Sequence, residues 1–248
     1  MPKQMSTEEN GEALPTLRIN PKVVMQTQQL FLVLLVVLDI IVWHVNLSLR
    51  PPLPEHMLWL QAFVSMNFET NLPTWYITML TAICGVLLWI LAFSTWRVHS
   101  PYAGLNWALL GSAALFISLD EFAQIHEQAG GWMRNWDFTE QVPVLSERPW
   151  TIPVLAGFVI FLIVIVPFLQ TLPKPTLFLF MAAGAVYVSG AVGVELATAY
   201  VFRYWPFGGM YLYLPLLEET LEKMGFILFL RAILDYMAAH FRGFTFAR

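Results

Sequence analysis

The chain has 248 residues, 58% of them hydrophobic and 12% charged, roughly half the charged share of an average soluble domain. Its 13 basic and 17 acidic side chains leave a net charge of −4, which excludes the basic surface that nucleic acid requires, so no nucleic-acid partner is expected. Cys84 is the only cysteine, which excludes an intramolecular disulfide and any thiolate metal cluster.

Residues 1–20, with Glu8, Glu9 and Glu12 and little apolar content, read as a mobile tail ahead of a single transmembrane domain, residues 21–248. A helix needs ~20 mostly apolar residues to cross a bilayer. Six segments qualify: residues 30–49, 72–96, 105–126, 152–172, 176–202 and about 212–236. The expected fold is therefore all-α, a polytopic six-helix transmembrane bundle. The first span is no cleaved signal, because a long polar stretch precedes it and Arg50, Pro51 and Pro52 follow it. Residues 57–68 and 132–150 are too short or too polar to cross, yet hold Trp59, Trp132, Trp136 and Trp150, as short interfacial helices do.

Orientation follows from the basic residues. Lys3, Arg18, Lys22, Arg97, Lys174, Arg231, Arg242 and Arg248 fall on the side of the termini, and Arg50, Arg134, Arg148 and Arg203 on the other. That balance predicts cytoplasmic termini in a multi-pass protein of the cell membrane, with the lipid bilayer as its first partner.

The acids carry the functional signal. Span three ends on Asp120, Glu121, His126 and Glu127, span five carries Glu195, and span six opens on Glu218, Glu219, Glu222 and Lys223. Alternation of six spans brings these three groups to one side of the membrane. Within span three, Asp120, Gln124 and Glu127 share a helical stripe; within span six, Glu218 and Glu222 repel at i,i+4 while Glu219 faces Lys223. Unpaired charges at such depth are costly, so Glu218 and Glu222 call for a proton, a cation, or a base such as Arg203 or His126. Glu195 lies among Gly184, Ser189, Gly190, Ala191 and Gly193, small residues that let helices approach, and is expected to face protein.

Carboxylates with one histidine suit a divalent metal: iron, manganese, zinc, magnesium or calcium. The candidate cluster is Asp120, Glu121, His126, Glu127, Glu195, Glu218 and Glu222. The paired Glu-x-x-His of di-iron bundles is absent from the sequence, as is a nucleophile elbow.

The string Ser118-Leu119-Asp120-Glu121-x4-His126-Glu127, with Asn71-Leu72-Pro73-Thr74-Trp75 before it and Glu218-Glu219-x-x-Glu222 after it, resembles a group of uncharacterised bacterial multipass membrane proteins. The resemblance covers spans two to six and implies an inner-membrane protein without an assigned activity. The final-span His-x3-His of the alkaline ceramidase-like hydrolases is missing, and Lys223 stands where the prenyl-processing proteases carry arginine. Three classes of function remain open: a metal-dependent membrane enzyme acting on a lipid or other apolar substrate; a structural or assembly subunit with other membrane subunits as partners; and a cation or proton-coupled transporter.

Overall fold

The computed structural model describes residues 18–49, 53–98, 100–133, 148–205, 210–240 and 245–246. Its helices are α1 (Pro21–Ser48), α2 (Glu55–Val64), α3 (Leu72–Val98), α4 (Pro101–Ala123), α5 (Ile125–Met133), α6 (Thr151–Leu169), α7 (Lys174–Val188), α8 (Glu195–Tyr204) and α9 (Met210–His240). A π-helical segment, Ser189–Val194, joins α7 to α8. Five helical stretches are long and apolar enough to cross a membrane: Pro21–Ser48, Leu72–Arg97, Pro101–Ala123, Thr151–Leu169 and Lys174–Tyr204. The sixth expected span is α9, whose 31 residues reach ~46 Å. It falls short on composition because it carries Glu218, Glu219, Glu222, Lys223, Arg231 and Asp235. Most of the expected interfacial stretch around Trp136, and nearly all of the N-terminal tail, lie outside the described residues.

Helix starts follow local chemistry. Asn20 caps α1 through the Lys22 N–H (3.0 Å) with Pro21 next in line, and Ser100 does the same for α4 ahead of Pro101. Two-residue strands β1 (Arg18–Ile19) and β2 (Thr245–Phe246) pair in parallel. That pairing ties the entry of α1 to the exit of α9, so both ends of the helical body lie together. We call this the terminal end of the bundle.

With no water to expel between helices in a bilayer, association depends on close packing of small residues. A Cβ on Gly111 would sit 3.1 Å from the Gly85 carbonyl, and one on Gly104 3.0 Å from the Trp96 Cα, which shows how tightly α3 and α4 meet. Near the terminal end an aromatic layer fills the bundle: Trp107 meets Phe168 at 5.0 Å, Phe180 at 6.0 Å and Tyr236 at 4.9 Å, and Phe180 meets Phe229 at 5.2 Å. Higher up, α9 is held against α7 at Gly225 and against the π-helical segment at Gly190. A Cβ on Gly225 would stand 2.7 Å from the Tyr187 Cβ and 2.8 Å from its backbone nitrogen. Gly225→Ala should therefore lower stability by ~1–3 kcal/mol, the usual cost of overpacking. The check is the thermal melt in detergent, where an unchanged midpoint would contradict this packing.

Candidate functional site

Three helices carry the acids to one level. From Pro101 to Glu121 along α4, from Lys174 to Glu195 along α7 and α8, and from His240 back to Glu218 along α9, the separations are 20, 21 and 22 residues. At 1.5 Å per residue each is ~30 to 33 Å, about one hydrocarbon thickness from the terminal end. There they line a single cavity of about 700 Å³. All seven expected site residues, Asp120, Glu121, His126, Glu127, Glu195, Glu218 and Glu222, are among its walls, and Glu69, Glu219 and Arg148 join them.

The residues divide into three groups. The first is built at a helix break. Span three does not run through His126 as one helix. Gln124 adopts a left-handed conformation (φ 55°, ψ 41°) that closes α4, and α5 starts afresh. The expected stripe of Asp120, Gln124 and Glu127 is thereby lost. In exchange, Asp120 holds His126 twice, accepting from its backbone N–H at 2.9 Å and from Nδ1 at 2.8 Å. The imidazole also packs edge-on against Trp150. With Nδ1 committed, Nε2 is the ring atom left for a ligand. Glu69 approaches from the loop between α2 and α3, where Asn71 donates to the Ala62 and Ser65 carbonyls and caps α3 through the Thr74 N–H. Ligand atoms of Glu69, His126 and Glu127 lie within 4.8 Å of one another. Gln124 lies beside the Glu69 carboxylate, while Glu69 Oε2 is buried and makes no hydrogen bond.

The electrostatics follow from that arrangement. Burial pushes the Glu69 carboxyl above its usual range, and the negative charge of Glu127 adds to the rise. For His126, burial works against the charged ring, but the hydrogen bond to Asp120 and its charge outweigh this and hold the pKa above the ordinary value. A carboxylate on the far nitrogen strengthens imidazole as a donor in the same way.

The second group surrounds Lys223, which is 1% exposed. It pairs with Glu219 one turn earlier, and the charges of Glu121 and Glu222 also act on it. The third follows the π-helical segment, the kind of local irregularity often found at functional sites. It delivers Glu195, which is 5% exposed, to Arg148, whose Nε lies 2.6 Å from Oε1. Glu218 lies beside Glu195, and the Thr198 hydroxyl donates to Glu218 Oε2 at 3.5 Å. Glu195 faces protein, as its small neighbours implied. Its basic partner is Arg148.

Sequence reasoning passed over Glu69, which lies just past the stretch read as interfacial, and Arg148, which was counted only as a loop charge. The Asn71-Leu72-Pro73-Thr74 capping string was the available signal for the first, since it fixes the loop that carries Glu69.

Fold and site together define an all-helical, membrane-embedded protein with a carboxylate-lined cavity toward one end of its bundle. The chain belongs to the family described as a domain of unknown function (DUF8692), which matches residues 30–237. No curated protein and no solved structure matches it.

Proposed function

We propose that this is a six-span membrane enzyme that holds a divalent cation on Glu69, His126 and Glu127 and acts on a lipid or other apolar substrate in the adjoining cavity. The observation that carries the reading is the Asp120–His126 clamp beside Glu69 Oε2, a buried acceptor with no hydrogen bond. Two carboxylates and one imidazole leave coordination positions open, as catalytic sites do, and two carboxylates with a borderline nitrogen suit zinc, iron or manganese over calcium. Bound there, the ion supplies Lewis-acid polarisation of a substrate oxygen. The chain's own part is positional: Asp120 fixes the imidazole, the Asn71 cap fixes the Glu69 loop, and Trp150 covers the ring. Counting α9 as the sixth span is supported by its length and by the β1–β2 pairing, which requires an even number of crossings. Cytoplasmic termini rest on the basic-residue balance. The aromatic layer around Trp107 favours a closed-bottomed site over a path through the membrane.

Elemental analysis of protein purified without chelator tests this. Wild-type protein should carry an equimolar divalent metal, and both Glu69→Gln and His126→Ala should lose it, with affinity reduced ~10–100-fold for Asp120→Asn. Metal-free wild-type protein after incubation with zinc, iron and manganese would sink the proposal.

A further inference from the structure

The cavity has a second half. Below the acids its walls are apolar, with Phe158, Phe161 and Phe229 among them, and it includes Gly157 of α6 and Gly184 of α7. A Cβ added to either glycine would meet nothing within 4 Å. Along α6, residues Pro153, Val154, Leu155, Ala156 and Gly157 are all exposed. At 100° per residue, five consecutive exposed positions go right around a helix, so this half of α6 has open space on the cavity side as well as the lipid side. The same helix is buried again at Ile165, Phe168 and Leu169. The result is an apolar arm flanking α6 at the depth of the hydrocarbon, continuous with the acidic end.

The acidic end is unbalanced. On the cavity wall Glu219 is ion-paired to Lys223 and Glu195 to Arg148, whereas Glu121, Glu218 and Glu222 line it without an ion pair among the described residues. A phosphate or carboxylate head would be repelled there, and a neutral head would gain little. An ammonium would find both opposite charge and hydrogen-bond acceptors. We infer that the cavity binds a single-chain amphiphile with a protonated amine head, the ammonium among Glu121, Glu218 and Glu222 and the chain over Gly157 and Gly184. This rests on the reading of the cavity as a substrate site and names the class of molecule it takes.

The test is binding to the purified full chain in neutral maltoside micelles, comparing dodecylamine with dodecanol, dodecanoate and a lysophosphatidylethanolamine. Dodecylamine should bind about tenfold or more tightly than the alcohol, equivalent to one added ionic contact, and the two phosphate- or carboxylate-bearing probes more weakly still. Glu218→Gln with Glu222→Gln should erase the preference for amine over alcohol. Gly157→Leu with Gly184→Leu fills open space with good helix formers, so this variant should fold and melt like wild type while losing amine binding. Equal binding of amine and alcohol, preference for either anion-bearing probe, or undiminished amine binding by the folded leucine variant would each overturn the inference. Metal content is measured on the same samples. Metal-free protein that still selects the amine would defeat the proposed metal site and leave this inference standing.

Discussion

Replacing Lys223 by methionine should remove most of the folded protein, with a loss of ~3–5 kcal/mol out of a total that rarely exceeds ~15. The side chain is 1% exposed and is the counter-charge for Glu219, with Glu121 and Glu222 close by. Methionine fills a similar volume, so the loss is electrostatic and leaves three carboxyls without a cation in a low-dielectric site. The double variant Lys223→Met with Glu219→Gln takes away both charges of the i,i+4 pair and should recover most of the stability, since replacing a whole buried pair is often neutral. Size-exclusion profiles and thermal melts of the three proteins decide it. A single variant that melts with wild type would show that Lys223 is not the hub of the site.

The same contrast marks what could be read from the chain. Long apolar runs announce membrane helices because hydrocarbon demands them, and the common depth of Glu121, Glu195 and Glu218 follows from alternation and helix rise alone. Other features depend on tertiary context. No propensity places Gln124 in a left-handed conformation; the turn is held by Asp120 gripping His126 across six positions, a spacing foreign to helical periodicity. The π-helical segment before Glu195 is likewise invisible in Ser-Gly-Ala-Val-Gly-Val, which reads as ordinary small-residue packing. Glu69 and Arg148 were missed for a shared reason. Each lies on a connection between spans, where a charge is normally solvated, and only the folded chain shows these two residues lining the cavity.

Arg148 is therefore the sharpest probe of whether a connection completes the site. Its side chain is 37% exposed, whereas Glu195 beneath it is 6% exposed. Removing the arginine strands a buried carboxylate that already has Glu218 close beside it. Arg148→Ala should cost ~2–4 kcal/mol, toward the low end of the range for breaking a buried pair because its own end is partly solvated. Glu195→Gln alone should cost less, since the amide keeps a hydrogen-bond acceptor for Arg148 and the orphaned guanidinium can reach water. Combining the two substitutions should restore part of the loss from Arg148→Ala, giving a favourable coupling of ~1 kcal/mol or more in a double-mutant cycle. Lysine at 148 should rescue only partly, because a point charge lacks the guanidinium's fork of donors. Additive losses in that cycle would mean that Arg148 rests on the surface of the site, and the cavity would then be formed by the membrane helices alone.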